Sequence, residues 1–120
     1  MSSADGPEAR YRAFLAEGRF MIQRSATTGR HVFYPRVAVP GTGETDLEWV
    51  AAAGTGTVHA TTASRTRDGA FNIAIVELDE GVRMMSRVEG VAPEDVRIGQ
   101  RVRARIAEEN GAPIVVFDPA

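Results

Sequence analysis

The chain has 120 residues, of which 43% are hydrophobic and 25% are charged, and its formal net charge is -2. This length fits one globular domain with a small appendage, not two full domains. The absence of cysteine excludes disulfides, a thiol nucleophile, iron-sulfur clusters and cysteine-ligated zinc. No apolar run approaches the ~18 residues that a membrane-spanning helix needs, so we expect a cytoplasmic protein that does not contact a membrane.

The first predicted element is a helix over residues 7–18. Pro7 suits the first turn of a helix, and Gly18 suits the left-handed position that follows the last turn. Three bulky apolar side chains share one face of this helix: Tyr11, Phe14 and Leu15. Residues 1–19 are therefore predicted to be an N-terminal tail and helix.

Residues 20–46 predict a knuckle, a small framework made of two tight turns. The apolar runs 20–23 and 31–34 are separated by small polar residues, which indicates a hairpin, and a glycine-rich second turn follows. Four positions have the spacing of a four-ligand zinc ribbon, with two residues inside each pair and ten between the pairs: Ser25, Thr28, Val39 and Thr42. Hydroxyls and a valine supply neither thiolate nor imidazole, so we expect no metal there.

From residue 47 onward, the pattern changes to strands. Residues 47–53 and 55–63 carry β-branched side chains, which predicts one long first strand bent at Gly54 and Gly56. Further strands are predicted at 71–78, 82–88, 100–107 and 113–117.

The connections indicate how these strands are arranged. Asn110-Gly111 is a strong turn dipeptide between the last two strands, and residues 93–95 predict a single helical turn in the longer connection before them. Five strands with this longer connection match a Greek-key barrel of the oligonucleotide/oligosaccharide-binding (OB) type. The predicted fold class is mainly β, with the barrel over residues 47–120.

Short motifs in the knuckle and along the strands are typical of a known family. In the knuckle they are Gln23-Arg24, Gly29, Tyr34-Pro35-Arg36, Pro40 and Gly43, and in the barrel they are residues 47–50, 54–58, 76–83, 96–102 and 116–119. Over about residues 8–119 the chain resembles the zinc-ribbon plus OB-fold proteins of domain-of-unknown-function family thirty-five. The resemblance implies an N-terminal helix, a rubredoxin-like ribbon and a barrel. Because this sequence differs at all four cysteine positions, it implies a degenerate, metal-free ribbon.

The same resemblance implies a role beside a larger enzyme. Several members of the family are small partners of thiolase-like enzymes in acyl-CoA metabolism. The best candidates for contact with such a partner, or with coenzyme A, lie around the knuckle, because arginine and aromatic side chains contribute most at interfaces and guanidinium groups suit phosphates. They are Arg24, Tyr34, Arg36 and Trp49. The alternative is that Trp49 belongs to the core and the arginines are merely solvated.

A second candidate site is an arginine ladder on the fourth strand of the barrel. Alternation points Val102, Ala104 and Ile106 inward and Arg101, Arg103 and Arg105 outward. Such a ladder suits the phosphates of coenzyme A or of nucleic acid. The alternative is a solvated face neutralised by Glu77, Glu108 or Glu109.

Two strands are apolar on both faces. In residues 71–78 and 113–117, one face fills the barrel and the other needs a cover. An uncovered apolar patch usually marks a protein interface, and cover by the helix and knuckle is the alternative.

These features predict a non-catalytic accessory subunit. It would bind a thiolase-superfamily or related acyl-CoA enzyme, stabilise it and help form the coenzyme A entrance, while the partner supplies every catalytic group. No catalytic residue and no bound metal are expected in this chain, and a coenzyme A thioester is the ligand expected in the complex. The main alternative is an OB-fold protein that binds single-stranded nucleic acid, which the net charge disfavours. A stand-alone enzyme would need a convergent acid, base and nucleophile, which the sequence does not provide.

Overall fold

The computed structural model describes residues 6–39, 41, 43 and 45–120. Its elements, in chain order, are α1 (Pro7–Ala16), β1 (Met21–Ser25), β2 (His31–Val32), β3 (Leu47–Ala51), β4 (Thr55–Thr66), β5 (Gly69–Leu78), β6 (Arg83–Ser86), β7 (Arg101–Glu109) and β8 (Ala112–Pro119). A 3-10 turn at Pro93–Asp95 lies between β6 and β7, where the sequence predicted a helical turn. Within the described ranges, no helix is long and apolar enough to cross a membrane.

The last five strands form the predicted barrel. They pair in the order β6-β5-β4-β7-β8, and every pairing is antiparallel. A parallel bridge between Val88 and Phe117 brings the chain after β6 against β8 and nearly closes the sheet on itself. Strand pairing of this kind, with one parallel closure, is the OB arrangement, so the prediction of a mainly β, five-stranded barrel is confirmed.

The barrel core consists of inward side chains from all five strands and their connections. Apolar residues alternate with polar ones along β7, where Val102 is fully buried and Arg101 and Arg103 are exposed. Leu15 of α1 is buried in the same cluster, and Phe20 packs partly against it. The helix therefore contributes to the barrel core and is more than a surface appendage.

One sequence prediction is wrong: residues 47–63 are not one bent strand. β3 pairs with β1 in a separate sheet of order β2-β1-β3, whereas β4 belongs to the barrel. Gly54, at φ 82°, turns the chain between the two sheets, and Glu80 accepts a hydrogen bond from the Ala53 N–H at 2.6 Å. A local pattern could not show this, because the partner of β3 lies over 20 residues earlier in the chain.

The hairpin between β4 and β5 is also longer than expected. The sequence predicts one strand that ends at residue 63 and a next strand that begins at residue 71, but β4 reaches Thr66 and β5 begins at Gly69. β7 pairs only with Thr55–Thr57 of β4, and β6 pairs only with residues 74–77 of β5. The far half of the hairpin is therefore a two-stranded arm that extends beyond the barrel.

The helix boundary differs slightly from the prediction. α1 ends at Ala16, while Gly18 takes the expected left-handed conformation at φ 79°. Asn110 and Gly111 both have positive φ in the turn between β7 and β8, as the sequence predicted. The division of the chain into 1–19, 20–46 and 47–120 stays a prediction.

Gly56 of β4 lies close against β5. A Cβ atom at this position would lie 2.6 Å from the Glu77 carbonyl oxygen and 2.9 Å from the Val76 side chain. The approach involves backbone, so it cannot relax by a side-chain rotation. We expect Gly56→Ala to lower the free energy of unfolding by about 1–3 kcal/mol, measured by urea denaturation. Thr62→Ala, at an exposed position of the same strand, is the control and should change it by less than about 0.5 kcal/mol; equal effects of the two variants would contradict this account.

Candidate functional site

The four zinc-ribbon positions do not provide a zinc-binding set. Ser25 is fully buried at the end of β1, and its Oγ donates to Asp46 Oδ1 at 3.0 Å and accepts from the Thr28 N–H at 3.2 Å. Val39 is also buried and has no donor atom in its side chain. Thr42 lies outside the described residues. Two hydroxyls and a valine do not fit structural zinc, which takes sulfur and nitrogen ligands.

A buried amide holds the two halves of the knuckle together. The Gln23 side chain donates from Nε2 to the Arg36 carbonyl oxygen at 2.7 Å and accepts at Oε1 from the Arg36 N–H at 2.6 Å. Only 4% of Gln23 is exposed, so both bonds form away from water, where leaving either group unpaired would be costly. The backbone of Arg36 is therefore fixed against β1, and its side chain is exposed.

Two of the four predicted contact residues lie on opposite faces of the small sheet. Arg24 is opposite Glu48 in the register of β1 and β3, and their side chains form an exposed ion pair of 2.6 Å. Trp49 is opposite Gln23, on the other face, and its ring is half-buried 5.3 Å from the ring of Phe14. The fold thus separates the two residues, and partner contact by either stays a prediction.

Tyr34 lies elsewhere, over the edge of the barrel. Its hydroxyl accepts a hydrogen bond from the backbone N–H of Met85 in β6 at 3.2 Å, and half of the residue is exposed. Its ring also packs 4.6 Å from the ring of Phe33. Tyr34 therefore connects the knuckle to the barrel, which the sequence did not indicate.

The arginine ladder is largely neutralised by carboxylates. Arg101 forms two hydrogen bonds to Asp79, of 2.8 and 3.0 Å. Arg105 contacts Asp118 at 2.8 and 3.1 Å and Glu89 at 2.7 Å. The sequence suggested other carboxylates for this role, but Glu77 pairs with Arg83 and Glu109 with Arg87, while Glu108 forms no ion pair with the described residues.

Arg103 differs from its two neighbours on β7. It forms no ion pair or hydrogen bond from its side chain to any of the described residues, although it lies opposite Asp118 in the register of β7 and β8. Its guanidinium is exposed and available to a ligand. Of the three ladder residues, it is the one that fits the predicted anion-binding role.

The ion pairs lower the pKa of their acidic members. Hydrogen bonds from the Arg101 guanidinium and, to a smaller extent, from the Thr55 hydroxyl lower the pKa of Asp79 to about 2. Hydrogen bonds from Arg105 lower the pKa of Asp118 and, together with Arg87, that of Glu89. These carboxylates are therefore ionised at neutral pH.

These depressed pKa values predict acid sensitivity. A carboxylate with a lower pKa in the folded state stabilises the fold above its unfolded pKa of ~4, and that contribution disappears as the pH falls towards 2. We expect the free energy of unfolding to be nearly constant between pH 6 and 8 and to fall below about pH 4, measured by urea denaturation across pH.

Asp79→Asn tests one member of the set. It should reduce the loss of stability between about pH 4 and pH 2, because one pKa difference between the folded and unfolded states is removed. Asp68→Asn, in the exposed turn between β4 and β5, is the control, and an identical pH profile for both variants would contradict the assignment.

An exposed apolar surface lies on the outer face of β5 and β6. Ile75 and Met85 are opposite each other in register, and Ile73 and Phe71 continue the same face along the arm. Met85 is 60% exposed, Phe71 43% and Ile73 42%. The prediction that this face of residues 71–78 needs a cover therefore agrees with the structure, since α1 packs mainly on β8.

Two neighbouring grooves extend this surface. One, of about 460 Å³, lies between the arm and β8, and a second, of about 230 Å³, lies beside α1; both are lined by Met85, Ile114 and Val115. Together they form a continuous surface, named the apolar strip here, that runs from the arm to the knuckle: Phe71, Ile73, Met85, Ile114 and Tyr34.

Asn72 is buried beneath the apolar strip and forms hydrogen bonds to β4 and to the segment after β6. Its Oδ1 accepts from the Val88 N–H at 3.0 Å, and its Nδ2 donates to Thr61 Oγ1 at 2.7 Å and to the Thr62 carbonyl oxygen at 3.2 Å. In the sequence, the one signal for this role is a polar residue within the apolar run 71–78. It fixes the arm to the closing segment of the barrel.

A nearly closed five-stranded barrel with a small knuckle and a helix defines an OB-fold protein with an N-terminal appendage. Residues 49–107 match the family model of "ChsH2, C-terminal OB-fold domain". A chain of the structure "Ltp2-ChsH2(DUF35) aldolase" superposes with a TM-score of 0.84 at 27% identity, covering 99% of this chain and 98% of that one. A DUF35-family structure from Sulfolobus solfataricus has a TM-score of 0.69 at 15% identity, covers 98% of this chain and 89% of that one, and shows the fold alone.

The chain is similar to proteins of the DUF35 family, and its lack of cysteine fits a zinc-free member. It is 38% identical over 91 residues to a "Probable enoyl-CoA hydratase alpha subunit" of Thermomonospora curvata, over 70% of this chain and 28% of the relative. It is 41% identical over 78 residues to the "3-oxo-4,17-pregnadiene-20-carboxyl-CoA hydratase alpha subunit" of Mycobacterium tuberculosis, which covers 61% of this chain and 25% of the relative. A "DUF35 domain-containing scaffold protein" of Methanocaldococcus jannaschii is 33% identical over 63 residues, which cover 50% of this chain and 45% of the relative. The chain thus spans less than half the length of these curated relatives.

Proposed function

We propose that this chain is a non-catalytic accessory subunit of an acyl-CoA-processing enzyme. It binds a thiolase-superfamily or related enzyme, stabilises it and helps to form the coenzyme A entrance. The names of its relatives support an accessory role, since they describe a scaffold protein, hydratase alpha subunits and an aldolase assembly. The observation that carries the proposal is the apolar strip, which leaves large side chains exposed on a chain of only 120 residues.

The strip has the chemistry of a protein interface. Covering Phe71, Ile73 and Met85 would contribute about 25 cal/mol for each Å² of apolar surface removed from water. The charged residues at its rim are already paired, since Arg87 contacts Glu89 and Glu109, both at 2.7 Å. A partner with an apolar surface therefore fits the strip better than a polyanion does.

The catalytic chemistry belongs to the partner in this proposal. This chain contributes surface and stability. Its candidates for contact with the coenzyme A phosphates are the exposed Arg36 and Arg103 and the half-buried Arg24, which is paired with Glu48. Tyr34 would contact the partner through the strip, and Trp49 from the other side of the small sheet. A cytoplasmic location stays a prediction.

The nucleic-acid alternative has less support. A single-strand groove needs connected basic residues and stacking aromatics. Arg101 and Arg105 are both occupied by carboxylates, so the ladder offers only Arg103 to a phosphate. The exposed aromatic Phe71 lies on the strip and not on β7.

Co-purification tests the proposal. The tagged chain, expressed in its native cell, should recover a thiolase-like or related acyl-CoA enzyme in near-stoichiometric amount, identified by mass spectrometry, and recovery should survive high salt because the contact is apolar. Nucleic acid that high salt removes, or no acyl-CoA enzyme at all, would contradict it.

A pair of variants tests whether the strip is the contact surface. Ile73→Asp places a charge in the middle of the strip, and we expect about a tenfold or greater loss of partner recovery. Ile98→Asp is the matched control, because Ile98 is 70% exposed and lies outside the strip. Thermal unfolding of both variants checks that the fold survives; similar recovery with the two variants would exclude the strip as the interface.

A further inference from the structure

We infer that a hydrogen-bonded network centred on the Asp46 carboxylate closes the knuckle at the place where the paired spacing would otherwise hold a metal ion. The inference rests on the contacts of this chain alone and is independent of the proposed function. It explains how a knuckle without zinc ligands keeps the shape of its first turn. Metal binding stabilises small zinc domains by about 10 kcal/mol or more, so its loss requires other interactions.

Asp46, the residue immediately before β3, binds the turn that follows β1. Its Oδ1 accepts from Ser25 Oγ at 3.0 Å, and its Oδ2 accepts from the Thr27 N–H at 2.6 Å and from the Thr27 hydroxyl. Its backbone carbonyl accepts from the Ala26 N–H at 3.1 Å. Three consecutive residues of the turn are thus held by one acidic residue from a distant part of the chain.

Ser25 is the buried partner of Asp46 in this network. Its side chain is fully buried, and its Oγ also accepts from the Thr28 N–H at 3.2 Å. Its carbonyl oxygen accepts from the Gly29 N–H, and its own N–H donates to the Arg30 carbonyl oxygen, both at 2.8 Å. Ser25 and Thr28, the first pair at metal-ligand spacing, are therefore joined by a direct hydrogen bond.

The second half of the knuckle is closed by packing and by an amide. Val39 is only 2% exposed, and its carbonyl oxygen accepts from the Gly43 N–H at 2.9 Å. Gln23 holds the preceding segment through the backbone of Arg36. Neither group is a zinc ligand, so both halves of the knuckle are closed by protein groups.

A carboxylate suits this task for a chemical reason. An ionised carboxylate has two acceptor oxygens with about four lone-pair directions, so it can take bonds from several donors of one turn. Bonds to an ionised acceptor are stronger than neutral ones. The donors lower the pKa of Asp46, the Thr27 hydroxyl most strongly, which keeps the acceptor charged.

Asp46→Asn in the 120-residue chain tests the network. Asparagine keeps the shape of the side chain but replaces one acceptor oxygen by an NH₂ donor. We expect amide hydrogen exchange at Thr27 and Thr28, followed by NMR, to accelerate about tenfold or more. Val102 and Phe117 of the barrel should change less than about twofold, and Asp68→Asn, whose carboxylate has no partner among the described residues, should leave the turn unchanged.

Metal analysis of the same protein provides the second arm. The purified chain should contain far less than one zinc per molecule, and EDTA or added zinc should leave the exchange rates of Thr27 and Thr28 unchanged. Stoichiometric zinc whose removal accelerates exchange in the turn would overturn the inference. Unchanged turn exchange in Asp46→Asn would overturn it as well.

A milder variant covers the case in which Asp46→Asn does not fold. Thr27→Val removes only the hydroxyl donor and keeps the volume of the side chain, and exchange at Thr27 should accelerate several-fold while the barrel is unchanged. No acceleration in that variant would contradict the network. Because the isolated chain is measured, failure of this inference is distinct from failure to find a partner enzyme.

Discussion

The fold depends on the closure of the barrel at Phe117. Its backbone N–H donates to the Arg87 carbonyl oxygen at 3.0 Å, its carbonyl oxygen accepts from the Glu89 N–H at 2.7 Å, and its ring is fully buried. β8 is held at this point by two backbone bonds to the segment after β6 and by the packing of the Phe117 ring, so this joint cannot open without exposing the core. Asn72 strengthens the same closure, because its side chain accepts from the Val88 N–H. This joint fixes β8 against the segment that follows β6.

The knuckle and the helix pack around that closed barrel. β3 is not part of the barrel and completes a small sheet with β1 and β2. α1 inserts Leu15 into the barrel core and places Phe14 against Trp49. Tyr34 then contacts the edge of β6. The appendage covers part of the outer barrel surface but leaves the arm side open, and the apolar strip is what remains uncovered.

Many of the charged side chains pair with one another within the fold, which leaves few of them available to a ligand. All 14 basic residues of the chain are arginine, and the planar guanidinium can bind a carboxylate through two parallel bonds. Arg101 and Arg105 use that geometry on Asp79 and Asp118. A face that reads as a phosphate-binding ladder in the sequence is thus mainly a set of cross-strand ion pairs, which are exposed and contribute modestly to stability. Arg103 is left for other partners.

The sequence by itself determined most of the secondary-structure elements and excluded the chemistry that needs cysteine. Strand alternation along β7, the Asn110-Gly111 turn and the missing cysteines follow from local pattern and composition, because they depend on neighbours within a few residues. The tertiary structure decided which strands pair, so β3 joins β1, Asp46 reaches Ser25, and Asp79 reaches Arg101. Each of these contacts joins residues more than 20 positions apart. Their formation depends on the packing of the whole chain, which no local pattern encodes.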